Sequence, residues 1–218
     1  MIYFRYPEIA NLDMLKENNI TADLGEQVLS PSEFKLKYPF IKELQSKIAE
    51  DAINDSIVYL EGSLFTEHAI VKEKKDFTDV VSDYKVPLNE NGLISMLFEL
   101  YIYENHAAHG MTYFGSITAN LETGETYEFS DLFNPKVYYT RILSDIAIKK
   151  VKEMGVPLIT PYKGITENQQ FYLTPNSLVL YYRIYEFTPY YFGNFEIKIP
   201  YSEILNILGP VSPIQKLL

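Results

Sequence analysis

The residues of this sequence whose types and spacing could do chemistry lie in one short loop. His106 and His109 are two of the three histidines in the chain, three residues apart, with Glu104 beside them. Imidazole and carboxylate groups are common ligands of zinc and other divalent metals, so the three side chains could form part of a metal site. A metal-dependent hydrolase acting on cell-wall glycan would also need a further ligand, a general base and a cleft. The surrounding sequence indicates none of these.

The same loop also has a structural interpretation, in which His109 and Gly110 shape a turn. The imidazole would hydrogen-bond loop carbonyls, and Gly110 would adopt a backbone conformation closed to other residues. Other catalytic signatures are missing from the sequence, which has no G-x-S-x-G nucleophile motif and no glycine-rich phosphate loop. We therefore predict that the protein is not an enzyme and has no catalytic residue, metal ligand or cofactor.

The loop is positioned by two predicted strands of an antiparallel meander. From Leu93 to Tyr103 apolar residues alternate with mixed ones, and from Met111 to Leu121 the alternation continues, so one face of each strand should be buried. Asn91 and Gly92 form a strong hairpin signal before the first of these strands. With a strand at 84–88 and a short one before Phe129, four antiparallel strands are predicted over 84–129.

Two amphipathic helices are predicted to pack on the sheets. A helix-start signal at Ser30-Pro31-Ser32-Glu33 precedes apolar residues spaced four apart from Leu36 to Ile48, which predicts the first helix, with Pro39 splitting off a lead-in. The second helix carries its apolar residues from Tyr139 to Met154 and ends at Gly155.

Further strands are predicted at Ile2–Tyr6, at 169–173, at 177–187 and at 195–199. A short helix should follow at 202–208. The fold class is therefore α+β, with antiparallel meanders and two main helices. We divide the chain into two closely packed parts, residues 1–129 and 130–218.

An aromatic loop near the C-terminus is the best candidate for recognition of a partner. Pro189, Tyr190, Tyr191 and Phe192 stand together in it. Tyrosine contributes a large rigid surface with a polar tip, and a neighbouring proline limits the entropy lost on binding. In the alternative interpretation these rings fold back onto the sheet.

Composition narrows the classes of partner. The chain of 218 residues has 29 acidic and 19 basic residues, a net charge of −10, which disfavours nucleic acid and favours a basic macromolecule. The absence of cysteine excludes disulfides and thiolate metal sites. No apolar run approaches the roughly 20 residues of a membrane span, and no secretion signal is visible at Met1.

Several motifs, in order, resemble a pair of domains of unknown function found in RsiV-type anti-sigma factors and ahead of the catalytic domain in PdaC-type peptidoglycan deacetylases. The motifs of the first domain are Tyr6-Pro7, Ala108-His109-Gly110, Asn120-Leu121-Glu122-Thr123-Gly124 and Asp131-Leu132-Phe133. Those of the second are Phe171-Tyr172-Leu173-Thr174-Pro175, Tyr185-Glu186-Phe187-Thr188-Pro189-Tyr190, Gly193 and Ile199-Pro200-Tyr201-Ser202-Glu203.

The resemblance implies an extracytoplasmic binding module and, from the RsiV-like members, lysozyme as a partner. Lysozyme is basic, in agreement with the acidity of this chain. The sequence departs from the family at Asn105-His106-Ala107, where glycine-type residues are usual, and it shows no sigma-binding segment and no deacetylase domain. Our first hypothesis is a non-enzymatic module that recognises lysozyme or peptidoglycan through 189–192 and the loop His106 to Gly110. The alternatives are the metal-dependent hydrolase and a cytoplasmic paralogue of unknown role.

Overall fold

A computed structural model describes residues 19–31, 34–70 and 77–218. Its strands are β1 (Asp23–Leu29), β2 (Leu36–Lys42), β3 (Phe77–Glu90), β4 (Leu93–Glu104), β5 (Met111–Asn120), β6 (Phe171–Leu173), β7 (Ser177–Tyr182) and β8 (Phe195–Pro200). The two α-helices are α1 (Lys47–Phe65) and α2 (Tyr139–Met154). The predicted α+β class is confirmed. The strand predicted at Ile2–Tyr6 lies outside the described residues.

The meander around the histidine loop is confirmed as the three-stranded sheet β3-β4-β5. Asn91 and Gly92 both have positive φ, 54° and 72°, as a tight hairpin turn requires. The apolar face of β4 is completely buried. The predicted fourth strand is wrong, because Thr126 makes only an isolated bridge to Ala119 and the chain then enters a 3-10 turn at Phe129–Leu132.

The first helix is placed wrongly by the sequence pattern. Residues 36–42 form β2, which pairs with β1 in a two-stranded sheet, and α1 begins only at Lys47, capped by the Ser46 side chain. Ser82 of β3 explains the difference, since its hydroxyl accepts a hydrogen bond from the Lys37 amide at 2.9 Å and donates to the Lys37 carbonyl at 3.2 Å. These contacts from a distant strand hold the segment extended, and Pro39 favours that conformation as well.

The C-terminal half follows the predicted order. β6, β7 and β8 form a second three-stranded sheet with β7 in the centre, and α2 ends at Met154 with Gly155 as its C-cap, at φ 61°. The long arm of the hairpin stops at Tyr182, short of the predicted end at 187. The short helix predicted at 202–208 is two 3-10 turns, Tyr201–Glu203 and Leu205–Ile207.

The elements stack in four layers, α1, sheet β3-β4-β5, sheet β6-β7-β8 and α2. Ile53 and Ile57 of α1 pack on one face of the first sheet, and Leu143 and Ala147 of α2 pack on the far face of the second. Between the two sheets lies a small aromatic core formed by Leu97, Phe114, Tyr172, Val179 and Tyr181. Because the two sheets lie face to face, the residues after β7 lie at the same end of the first sheet as the histidine loop. The division of the chain at residue 129 stays a prediction.

Candidate functional site

The two loops proposed for recognition meet through one side chain. The ring of His109 stacks on Tyr190, with centroids 3.8 Å apart and planes at 22°. Its Nε2 atom lies 3.0 Å from the hydroxyl of Tyr185, whose ring is 5.8 Å from that of Tyr190. We call His109, Tyr185, Tyr190 and Tyr191 the aromatic cluster.

Hydrogen bonding determines the tautomer of His109. Its Nδ1 atom lies 2.9 Å from the Gly110 carbonyl oxygen. A carbonyl can only accept, so Nδ1 carries the proton, and in the neutral ring Nε2 accepts the hydroxyl proton of Tyr185. The expected hydrogen bond between the imidazole and a loop carbonyl is therefore present. The same ring also links the loop to a residue 76 positions further along the chain.

Gly110 leaves room for a neighbouring ring, which differs from the reason predicted for it. The residue of this loop with positive φ is His106, at 63°, and Gly110 is not among the residues with positive φ. A Cβ atom on Gly110 would lie 2.3 Å from the ring of Tyr101. The close approach of the tip of the exposed Tyr101 ring therefore favours glycine here, and the prediction of an unusual backbone conformation at Gly110 is wrong.

The aromatic loop is a hydrogen-bonded turn that points its rings in different directions. Tyr190–Phe192 form a 3-10 turn, in which the Phe192 amide donates to the Pro189 carbonyl at 3.0 Å. Phe192 faces inward, with its ring 6.2 Å from that of Phe195 in the core. Tyr191 is 78% exposed. Each interpretation of this loop therefore holds for one residue. The Phe192 ring folds back onto the sheet, and the Tyr191 ring projects outward.

His106 is exposed and takes no part in the aromatic cluster. Among residues 19–31, 34–70 and 77–218, no group of three or more His, Cys, Asp or Glu side chains is arranged to hold a metal ion. Both ring nitrogens of His109 are engaged in hydrogen bonds. The candidate metal ligands thus do not come together as a site, and the hydrolase stays an untested hypothesis.

Tyr185 is the residue of the cluster that the sequence analysis missed as a site residue. Its φ is 70°, a left-handed conformation that tyrosine rarely adopts, so no turn rule would place it. The available signal was its position in the motif Tyr185-Glu186-Phe187-Thr188-Pro189-Tyr190, where it begins the segment that ends in the loop. His68, which carried no prediction, stacks on Tyr113 with ring centroids 3.7 Å apart.

Two concave surfaces flank the aromatic cluster. A cleft of about 660 Å³ lies on one side, with Tyr185 in one wall and β5 in the other. A shallower groove of about 420 Å³ is lined by Tyr190 and Tyr191 together with Lys85 and Glu99, which form an ion pair. The aromatic cluster therefore stands between two recesses.

No helix in the described part of the chain is both long enough and apolar enough to cross a membrane.

Comparison with known proteins agrees with the resemblance noted in the sequence. Residues 130–202 match the family DUF3298, described as a protein of unknown function. The anti-sigma-V factor RsiV of Bacillus subtilis (strain 168) is 26% identical over 190 residues, which cover 81% of this chain and 66% of RsiV. The chain thus spans slightly less than two thirds of the length of this relative.

Two solved structures share the fold. A member of the DUF3298 family from Bacteroides fragilis NCTC 9343 superposes with a TM-score of 0.69 at 16% identity, covering 91% of this chain and 98% of that one. A DUF3298 family protein from Pseudomonas aeruginosa PAO1 gives a TM-score of 0.57 at 14% identity, covering 90% and 94%. The protein is thus RsiV-like in sequence, matches DUF3298 over residues 130–202, and has the fold of solved DUF3298 family proteins.

Proposed function

We propose that this protein is a non-enzymatic binding module of the bacterial cell-envelope type, and that the aromatic cluster is the surface with which it recognises a basic protein partner. Lysozyme is the candidate partner, and a peptidoglycan fragment is the alternative ligand. The observation that carries the proposal is the junction of two distant loops through His109, next to the outward-pointing ring of Tyr191.

Preorganisation supports this role. The His109 stack and its hydrogen bond to Tyr185 hold two tyrosines of the cluster in position before any partner arrives. The 3-10 turn does the same for the backbone of Tyr191. Binding through side chains already fixed in place loses less conformational entropy, and tyrosine is enriched among residues that dominate interface energies.

The net charge and the resemblance to RsiV-like proteins both support a basic protein partner. The net charge of −10 would speed encounter with a cationic protein at low ionic strength. The chain is similar to a protein named as an anti-sigma factor. The motif resemblance to RsiV-like members, given above from the sequence, implies lysozyme as the partner.

Calorimetry with purified lysozyme tests the proposal at low and at physiological salt. The decisive variant is Tyr191→Ala, which we expect to weaken binding by about tenfold or more, the usual loss when a central interface aromatic is truncated. Tyr138→Ala is the matched control, because Tyr138 is 77% exposed but lies at the start of α2, in the outermost layer of the sandwich.

Two results would count against the proposal. No binding of lysozyme or of peptidoglycan fragments at low salt would remove the function itself. Equal losses in the Tyr191 and Tyr138 variants would remove the assigned surface.

A further inference from the structure

We propose that the free edge of β5, next to the aromatic cluster, accepts an extended segment of the protein partner as an additional β-strand. This inference rests on the proposed function and specifies how the partner is held. It follows from the direction of the backbone groups of β5, from the cleft beside them, and from the chemistry that such an edge can recognise.

The direction of the backbone groups follows from contacts at the far end of β5. There the Thr118 carbonyl accepts a hydrogen bond from the Tyr127 amide at 2.8 Å, and the Asn120 amide donates to the Glu125 carbonyl at 2.9 Å. Even-numbered residues of β5 therefore direct their main-chain groups away from β4. The register between β4 and β5 runs without a bulge from Asn120 back to Met111. Thr112 and Phe114 must consequently point their amides and carbonyls outward as well.

The outer edge is covered at one end of β5 and open at the other. Tyr127 and Glu125 occupy it beside Thr118 and Asn120. Within the described residues, no hydrogen bond reaches the outward amides and carbonyls of Thr112 and Phe114 from beyond the meander. The opposite edge of the same sheet is occupied, because Lys35 bonds to the main chain of β3.

A cleft lies against the open half of the edge. Its volume is about 660 Å³, and residues 111–114 form one wall while residues 183–187 form the other. Tyr185 stands in that second wall, so the cleft is continuous with the aromatic cluster. Exposed Glu67 and Glu186 lie on its rim together with Arg183.

The occupant that fits is an extended polypeptide. Outward donors and acceptors that recur at every second residue of a strand are matched by the main chain of another strand, whose rise is about 3.3 Å per residue. Thr112 and Phe114 together offer up to four such hydrogen bonds. Met111 and Phe114, both half-buried, line the same cleft, so apolar side chains of the added strand would find apolar surface beside them. An acidic chain favours a segment with basic residues.

Amide hydrogen exchange measured by NMR tests the inference directly. The full chain is studied with two probes. One is lysozyme, and the other is a seven-residue peptide of alternating valine and threonine with a lysine at each end. Strand addition predicts that exchange at the Thr112 and Phe114 amides slows at least tenfold on saturation with a probe. The Tyr113 amide, which points toward β4, is the internal reference and should change little.

The outcomes separate this inference from the proposed function. If lysozyme binds and leaves the exchange at Thr112 and Phe114 unchanged, strand addition is overturned and the binding function stands. If lysozyme does not bind, the proposed function fails. The peptide result then decides whether the free edge of β5 accepts an added strand. Failure of the peptide as well overturns the inference.

A pair of variants at one position gives the second test. Thr112→Pro removes one outward amide donor and no hydrogen bond to β4, whereas Thr112→Ala removes the side chain and keeps the donor. We expect the proline variant to bind about fivefold to tenfold more weakly than the alanine variant, the effect of one hydrogen bond. Equal affinities in two folded variants would contradict strand addition. If the proline variant does not fold, the exchange experiment on the wild-type protein decides.

Discussion

His109 is the side chain on which the two loops proposed for recognition converge. The sequence placed a histidine beside Gly110 in a loop between two strands, and the hydrogen bond to a loop carbonyl could be anticipated from that position. Its bond to Tyr185 could not, because the partner is 76 positions away and has a left-handed backbone that tyrosine seldom adopts. Local sequence patterns therefore located the loop, whereas the contact that joins it to Tyr185 is visible only in the tertiary fold.

Glu61 of α1 is a buried acid for which the binding function has no use. It is 4% exposed, and the Ser82 hydroxyl beside it, which is already bonded to the Lys37 main chain, makes no hydrogen bond of good geometry to its carboxylate. Burial raises the pKa of Glu61 to about 7. In the unfolded chain the same group ionises near its ordinary pKa of about 4.3. The folded state therefore holds a proton that the unfolded state releases, and this group lowers stability as pH rises from about 4.3 to about 7.

Glu61→Gln should consequently stabilise the protein at high pH only. At pH 8 we expect a gain of up to about 3 kcal/mol in the free energy of unfolding, because the neutral amide avoids a buried charge. At pH 4.5 wild type and variant should differ much less. Urea unfolding at both pH values measures the effect, with Glu153→Gln on the exposed side of α2 as control. A gain that is equal at the two pH values would contradict this account.

At the scale of elements, alternation of apolar residues predicted the strands better than four-residue spacing predicted the first helix. β4 has one face that is apolar at every second position and is buried, so its pattern has a single interpretation. The segment around Leu36 and Phe40 satisfied a helical spacing equally well. Its extended conformation depends on hydrogen bonds from Ser82, which lies 45 residues away from Lys37. No local rule contains that information.

Gly110 of the histidine loop lies close to the tip of the exposed Tyr101 ring. In Gly110→Ala the new Cβ would meet the Tyr101 ring at 2.3 Å, so the ring or the loop must move. Because the Tyr101 ring is exposed and can turn aside, we expect a loss of at most about 1 kcal/mol in the free energy of unfolding, together with weaker partner binding, since the loop carries His109. Chemical denaturation and calorimetry measure the two effects.

Gly62→Ala is the matched control for this substitution. Gly62 lies within α1, and nothing stands within 4 Å of the point where its Cβ atom would lie. Alanine should stabilise the helix there by up to about 1 kcal/mol. If both variants were destabilised, the loss in Gly110→Ala could not be attributed to contact with the Tyr101 ring.

At the scale of the whole molecule, the two sheets share an interface that neither could leave exposed without cost. Tyr172 and Tyr181 of the second sheet pack against Leu97 and Phe114 of the first. The Leu173 amide donates to the Ser95 hydroxyl at 3.0 Å across the same interface. The sequence indicated two packed parts, but the pairing of these faces required the positions of both sheets.

We therefore expect the protein to unfold in one cooperative transition. Separation of the sheets would expose the shared aromatic core to water, so neither sheet should persist after the other has unfolded. Far-UV circular dichroism reports the backbone, and near-UV circular dichroism reports the buried tyrosines. The two transitions should coincide in urea. Two resolved transitions would contradict this expectation and would favour independent parts divided near residue 129.

The central claim, recognition through the aromatic cluster, is tested most directly by mapping amide chemical-shift changes while lysozyme is added to the labelled protein. We predict that the largest changes fall in residues 106–114 and 183–193, on both loops and along the free edge of β5. Residues on the outer faces of α1 and α2, such as Tyr59 and Tyr138, should be unaffected. Changes centred on either helix, or none at all at low salt, would contradict the account.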